Sequence, residues 1–181
     1  MPRPNGRTTH TWGSTAEERE LDFPCDRYLP AADGAVYRAV SVDAPAAVLF
    51  RWLCQLRAAP YSYDWIDNLG RRSPQELTPG LEDLELGQAV MTIFELVEFE
   101  QDRHLTIEMR RLRRLFGEIA GTYLIVPIDG GRCRLVVKLA IRWPRAPVWG
   151  WAARAWLPAG DLVMMRRQLL NLKSLAEAGA R

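Results

Sequence analysis

The sequence predicts a single α+β domain in which a curved antiparallel sheet wraps around a long C-terminal helix. Its length of 181 residues and its hydrophobic content of 48% suit one globular domain. Apolar and polar residues alternate between residues 88 and 143, and this period of two is typical of half-buried antiparallel strands. The last segment instead spaces its apolar residues as an amphipathic helix does. We expect an irregular arm over residues 1–34 and the domain over residues 35–181.

One strand and two short helices are predicted at the start of the domain. Residues 35–42 alternate as a short strand, and an Asp followed by a Pro marks the start of a helix over residues 46–57. The aromatic residues 61–69 form a second short helix, which a Pro precedes and a Gly stops. Residues 71–86 are rich in Pro and Gly and are interpreted as an excursion between elements.

Four runs with a period of two follow and predict the rest of the sheet. The first run begins at Gln88, and its apolar face comprises Met91, Ile93, Val97 and Phe99. The second run places His104 on its polar face, where we expect it to be at the surface. The fourth run is the clearest, with one face formed by Cys133, Leu135, Val137, Leu139, Ile141 and Trp143. Asp129–Gly131, between the third and fourth runs, predicts a hairpin turn because Gly tolerates positive φ.

The terminal helix is predicted to begin after Pro158 and Gly160, with Asp161 as its N-cap. Its apolar stripe contains Leu162, Met165, Leu169, Leu172 and Ala176. The preceding segment, residues 143–156, contains four tryptophans and is predicted as a crossover into the helix. Trp149, Trp151 and Trp156 favour contact with a membrane surface or a partner protein, and the alternative is a crossover packed under the domain.

Composition excludes several functional classes. A formal net charge of +2 is too small a surplus to indicate a nucleic-acid binder, and the basic cluster 110–114 is interpreted as a solvated strand end or hairpin tip. Three cysteines without CxxC spacing fit neither a disulfide framework nor a zinc site, so we expect no metal and no cofactor. No stretch has the composition of a signal peptide or a membrane span, which favours a cytoplasmic protein.

Three segments carry a resemblance to a known superfamily: VSVDAPAAVLFRWL (40–53), VEFEQDRHLTIEMR (97–110) and GDLVMMRRQLLNLKSLAE (160–177). Together with the element order, they resemble the START/Bet v 1-like (SRPBCC) superfamily, which includes polyketide cyclase/dehydrase-like proteins. PYSYDWIDNLGRRSP (60–74) is similar to uncharacterised actinobacterial members. The resemblance implies a helix-grip fold with an apolar cavity between the sheet and the C-terminal helix. Members bind lipids, sterols or polyketides or catalyse cyclisation and dehydration, so the role stays open.

Two residues are candidates for acid–base chemistry. Alternation puts Glu95 on the face of Ile93 and Val97, where a desolvated carboxylate would have a raised pKa and serve as proton donor or base. The alternative is a bulge that turns Glu95 to solvent. Tyr123 lies on a predicted central strand and offers a phenol to a buried oxygen, or else is an ordinary core tyrosine with a satisfied hydroxyl.

The sequence therefore favours a binder of a hydrophobic small molecule, lipid-like or polyketide-like, with an undefined oligomeric state. The first alternative is a cofactor-free cyclase or dehydratase that uses Glu95 and Tyr123, and the second is an interaction module that uses the tryptophan segment. Apolar and aromatic residues would form the ligand wall. The predicted wall comprises Tyr61, Tyr63, Trp65, Ile93, Val97, Ile107, Val137, Leu139, Trp143, Met165 and Leu169.

Overall fold

A computed structural model describes residues 8–67 and 70–180, and in it six antiparallel strands form one sheet. The spatial order of the strands is β1-β6-β5-β4-β3-β2, so the first strand pairs with the last. The strands are β1 (Gly34–Val42), β2 (Ala89–Val90), β3 (Phe94–Glu100), β4 (His104–Met109), β5 (Glu118–Asp129) and β6 (Arg132–Arg142). The predicted hairpin between β5 and β6 is confirmed, because Asp129 pairs with Arg132.

One long helix and six short ones accompany the sheet in the described part of the chain. They are α1 (Thr8–Thr11), α2 (Ala16–Arg19), α3 (Cys25–Tyr28), α4 (Ala46–Cys54), α5 (Asp64–Asp67), α6 (Arg113–Phe116) and α7 (Pro147–Gly179). A 3₁₀ turn, Gln55–Arg57, extends α4. The basic cluster 110–114 is exposed between β4 and β5, where α6 begins. The second short helix is α5, although residues 68 and 69 of that prediction lie outside the described residues.

The main core lies between the inner face of the sheet and α7. Alternation along β6 buries every second side chain on this face, as predicted: Cys133, Leu135, Val137, Leu139 and Ile141. From α7, Met165, Leu169, Leu172 and Ala176 complete the cluster. The curved sheet wrapped around a long C-terminal helix is therefore confirmed.

The outer face of the sheet carries a second, smaller core. Phe23, Cys25 and Leu29 from the N-terminal arm pack there against a patch of β-strand residues: Ala39, Ala120, Leu124, Val136 and Ala140. Because the arm covers this patch, the outward face of β6 contains the apolar residues Val136 and Ala140 among its charged residues. The same cover also corrects the prediction for His104, which is buried because the arm removes this part of the outer face from water.

The strand predicted from Gln88 is divided, and this changes which side chains face inward. Met91 and Thr92 have positive φ angles of 46° and 66°, a region that interrupts extended backbone. After this turn Leu96 is fully buried opposite Ile107, and the register shifts between Leu96 and Glu98 as it does at a β-bulge. The prediction that one inward face comprises Met91, Ile93, Val97 and Phe99 is therefore wrong.

The terminal helix begins fourteen residues before the predicted N-cap, Asp161, because residues 147–160 belong to α7 (Pro147–Gly179). Pro158 lies inside the helix, where it lacks the N–H for one helical hydrogen bond. Its own carbonyl oxygen accepts a hydrogen bond from Arg38 at 3.2 Å. Tertiary contacts thus stabilise a helix that continues through Pro158, although a proline typically marks the start of a helix. Within the described residues, no helix combines the length and apolarity needed to cross a membrane.

Candidate ligand-binding site

Arg38 is a fully buried arginine on the apolar face of β1. It is in phase with Val36, Val40 and Val42, so strand geometry points its side chain beneath α7. Its Nη2 atom donates to the Asp161 carboxylate at 2.7 Å and to the Pro158 carbonyl at 3.2 Å. The Nε atom has no hydrogen-bond partner among the described residues. A charged group with a free donor is thus enclosed in the main core.

Asp161 is the counter-ion of this arginine. Loss of hydration raises the pKa of its carboxyl to about 6, although the Arg38 guanidinium favours the charged form. Burial also lowers the pKa of Arg38 from its usual value, but a guanidinium stays protonated at neutral pH. Near pH 7 the two groups therefore form an ion pair, whose carboxylate is within reach of protonation in mild acid.

Tyr123 is another buried polar residue between the sheet and α7. Its hydroxyl donates to Gln168 Oε1 at 2.8 Å, and Gln168 Nε2 donates to the Pro60 carbonyl at 2.6 Å. Burial raises the Tyr123 pKa far above its usual value, and the Asp161 carboxylate raises it further. The phenol is therefore a neutral hydrogen-bond donor, and it feels the charge of Asp161.

Tyr61 is strained and has an unpaired hydroxyl. Its φ angle of 55° lies in the left-handed region, which non-Gly residues seldom adopt, and such outliers cluster at functional sites. The ring packs edge-on against Trp52, and the hydroxyl has no partner within the described chain although the residue is 1% exposed. Burial, and then the charge of Asp64, raises the Tyr61 pKa to about 12.

Three methionine sulfurs lie beside these polar groups. Met165 Sδ is 3.7 Å from the Tyr123 hydroxyl, Met91 Sδ is 3.1 Å from Gln168 Nε2, and Met164 Sδ is 3.6 Å from the Ser62 hydroxyl. A thioether is a weak acceptor on a flexible side chain. Each donor could therefore exchange sulfur for a stronger oxygen acceptor without a change of backbone.

The predicted wall residues fall into two groups. Six are buried in the main core between the sheet and α7: Tyr61, Ile107, Val137, Leu139, Met165 and Leu169. Ile93 and Val97 are half-buried and lie outside that core cluster, because the turn at Met91 and the bulge after Leu96 shift their phase. Trp65 is 76% exposed on α5, so its predicted place in the wall is wrong. Tyr63 and Trp143 are half-buried.

Glu95 lies on the outer face of the sheet, which corrects its predicted position. Glu95 lies opposite Glu108 of β4. The next pair, Leu96 and Ile107, points inward, so Glu95 and Glu108 point outward. The Glu95 carboxylate forms an ion pair with Arg110 at 2.6 Å, and both residues line a surface pocket of about 430 Å³. The geometry therefore does not support a catalytic role for Glu95 between the sheet and α7.

Two further surface pockets lie near the start of α7. The larger has a volume of about 750 Å³ and includes Trp143, Gly150 and Trp151, and the other has a volume of about 380 Å³. The arginines in these pockets are partly neutralised, since Arg142 pairs with Glu118 and Arg154 approaches Asp33 at 3.9 Å. Of the predicted wall residues, only Trp143 lines either of them.

Arg38, Asp161 and Gln168 were not predicted as site residues, although the sequence contains a signal for each. Arg38 interrupts the apolar alternation of β1 on its inward phase, and Asp161 and Gln168 fall on the same helical stripe as Met165 and Leu172. A polar side chain on an apolar face is the informative exception to burial. Among the described residues, no three His, Cys, Asp or Glu side chains form a group that could hold a metal ion.

Comparison with solved structures identifies the same fold. A hypothetical protein from Helicobacter pylori aligns over 89% of this chain and 96% of its own, with 15% identity and a TM-score of 0.56. The Zhui aromatase/cyclase from Streptomyces sp. R1128 aligns over 82% and 96%, with 18% identity and a TM-score of 0.51. The two-domain aromatase/cyclase StfQ from the steffimycin biosynthetic pathway aligns over 81% of this chain and 51% of its own, with 14% identity and a TM-score of 0.52. At these identities the likeness shows the fold alone.

Comparison with protein families is more specific. No curated protein matches the chain. The family described as polyketide cyclase / dehydrase and lipid transport matches residues 34–177, which span the sheet and nearly all of α7. The chain therefore belongs to the polyketide cyclase/dehydrase and lipid transport family.

Proposed function

We propose that this protein binds a hydrophobic small molecule, lipid-like or polyketide-like, between the inner face of the sheet and α7. The observation that carries the proposal is two buried donors without a partner among the described residues, Arg38 Nε and Tyr61 Oη, between the sheet and α7. A buried donor without a partner costs about 1–3 kcal/mol, so a core selected for stability alone would avoid it. An oxygen atom of an apolar ligand would give either donor a partner.

The apolar wall would supply most of the affinity. Burial of apolar ligand surface contributes about 25 cal/mol per Å², while a few polar groups fix the orientation of the ligand. The buried wall residues form one packed cluster, so ligand uptake requires side chains to move. Met91, Met164 and Met165 suit this because unbranched thioethers repack readily around different guests.

The first test is to identify what the protein carries. Native mass spectrometry of the purified full chain, followed by organic extraction, should reveal a co-purified molecule that is apolar and contains oxygen. Independently, the fluorescent probe 8-anilino-1-naphthalenesulfonate should bind, and Leu139→Trp should weaken its binding by filling the core. Ile128→Trp, at an exposed end of β5, is the matched control. No bound molecule together with no probe binding would contradict the proposal.

The second candidate function is a cofactor-free cyclase or dehydratase. It is favoured by the electrostatic interaction of the Tyr123 phenol with a carboxylate, which is Asp161 in place of the predicted Glu95. The Asp161 carboxylate would remove a proton from the carbon next to a ketone, and the neutral Tyr123 phenol would donate a proton to the departing hydroxyl, which leaves as water. A carboxyl with a pKa of about 6 is suited to general-base work near neutral pH.

The two functions differ in their response to substitution. With a poly-β-ketone thioester as substrate, a cyclase should lose turnover in Asp161→Asn and in Tyr123→Phe while still binding the probe. Glu95→Gln is the matched control and should keep its turnover, because Glu95 lies outside the grip. Unchanged turnover in both interior variants would rule out this mechanism. A membrane or protein contact through Trp149, Trp151 and Trp156 stays a prediction of the sequence.

A further inference from the structure

The outward face of α7 carries a row of apolar side chains at seven-residue spacing. Residues seven apart in an α-helix lie two turns apart on one side. Trp149, Trp156, Val163 and Leu170 form this outward row and are 41%, 73%, 54% and 37% exposed. Trp151, 73% exposed, lies about 200° around the helix from Trp149 and is not part of the row. The row therefore presents large apolar side chains to solvent along most of the helix.

The row is a second apolar face of α7, separate from the one that packs on the sheet. Val163 precedes the buried Met165 by two residues, and two helical residues turn the direction by about 200°. Val163 and Met165 thus point to opposite sides of α7, which agrees with their exposures of 54% and 7%. Packing of the core accounts for the inward face but not for the outward row, of which Trp149 also donates its indole N–H to the Leu115 carbonyl at 2.6 Å.

The charges along α7 are mostly positive. Residues 145–179 contain five basic side chains, namely Arg145, Arg154, Arg166, Arg167 and Lys173, and two acidic side chains, Asp161 and Glu177. Asp161 pairs inward with Arg38, and Glu177, at the next seven-residue position after Leu170, pairs with Lys173 at 2.7 Å. Arg167 is exposed on α7 between Val163 and Leu170 in the sequence. The solvent side of this stretch is therefore apolar and positively charged.

We propose that this outward row docks the protein on the surface of an anionic lipid bilayer. Tryptophan favours the boundary between headgroups and acyl chains, and arginines beside an apolar helical face attract anionic headgroups. A second copy of the chain is a poorer partner because two such faces would bring like charges together. The proposal goes beyond ligand binding, and it would place the helix that covers the ligand site against a source of apolar ligands.

The test is co-sedimentation of the full chain with vesicles. We expect binding to phosphatidylcholine vesicles that contain about one-third phosphatidylglycerol, and at least about fivefold less to phosphatidylcholine alone. Binding should also fall at about 0.5 M NaCl, because salt screens the attraction. Trp156→Ala and Arg167→Glu should each reduce the bound fraction by about threefold or more. Trp65→Ala is the matched control, since Trp65 is equally exposed but lies on α5, and it should bind like the wild type.

Two results would overturn the proposal. One is the absence of binding to the anionic vesicles, or binding that Trp156→Ala and Arg167→Glu leave unchanged. The other is a dimer, seen by size-exclusion chromatography with light scattering, that Trp156→Ala dissociates, because the row would then be an interface between copies. Binding of 8-anilino-1-naphthalenesulfonate by Trp156→Ala should equal that of the wild type, so failure here is separate from failure of the ligand-binding proposal.

Discussion

The Arg38 guanidinium on β1 donates to the Asp161 carboxylate on α7 at 2.7 Å, and this ion pair joins the first strand to the last helix. The arginine side chain is fully buried, whereas the aspartate keeps 22% of its side-chain surface exposed. The same guanidinium also donates to the Pro158 carbonyl of α7 at 3.2 Å. The pair is therefore both part of the candidate site and a link between the two layers of the fold.

Breaking this pair should destabilise the protein, and removing both members should not. Arg38→Met leaves a desolvated carboxylate and should lower the free energy of unfolding by about 3 kcal/mol, as measured by urea denaturation. Adding Asp161→Leu should restore most of that loss, since an apolar pair of similar volume suits the core. Arg103→Met, which breaks an exposed pair with Glu100, is the control and should cost less than about 1 kcal/mol. A double variant no more stable than Arg38→Met would contradict this.

The raised pKa of Asp161 predicts a specific pH dependence. The folded state binds this proton more tightly than the unfolded chain does, because the carboxyl pKa is about 6 when folded and about 4 when unfolded. The stability that Asp161 contributes is therefore largest in acid and falls as the pH rises from about 4 to about 6. The unfolding free energy of the wild type, measured relative to that of Asp161→Asn, should fall as the pH rises across that range and should be constant above it. A constant difference across the whole pH range would contradict the raised pKa of Asp161.

The two buried tyrosines should respond oppositely to loss of their hydroxyl groups. Tyr61→Phe removes an unpaired buried hydroxyl, so the ligand-free protein should be equally stable or more stable. Tyr123→Phe removes the donor to Gln168 and should cost about 1–2 kcal/mol. Thermal unfolding of the delipidated chains measures both effects. If the Tyr61 hydroxyl contacts the ligand, Tyr61→Phe should also bind the co-purified molecule more weakly.

The N-terminal arm should contribute to the stability of the domain. Phe23 is fully buried against the outer face of the sheet, so Phe23→Ala should cost about 3–5 kcal/mol. Leu21→Ala, which changes a partly exposed residue two positions away, should cost less than about 1 kcal/mol. Urea denaturation separates these values. Equal stability of both variants would show that the packing of Phe23 adds nothing to the stability of the domain.

Periodicity was sufficient for most of the sheet because alternation responds to a local condition, burial of one face. The inward residues of β4 and β6 follow it without interruption, and the hairpin at Asp129–Gly131 follows from the tolerance of Gly for positive φ. Alternation failed at Met91 and Thr92, two non-Gly residues with positive φ that no turn signal marked. One shift of phase there moved Glu95 from the predicted inner face to the outer face.

The tryptophan segment shows the limit of local helix signals. Pro158 and Gly160 indicate a boundary by propensity, yet α7 continues through both because packing against β1 outweighs a local penalty of this size. A row that extends from Trp149 to Leu170 can exist only on a continuous helix, so the proposed docking face depended on this tertiary effect.

Spacing along the chain was thus enough to identify the strands, the amphipathic terminal helix and the family resemblance, since each is a property of neighbouring residues. Pairing across long separations was not accessible in this way. Arg38 and Asp161 are far apart in the sequence, and the arm covers a strand face whose residues look solvent-facing when read alone. Whether a buried polar group has a partner depends on which elements meet in space, and folding decides that through the packing of the whole core.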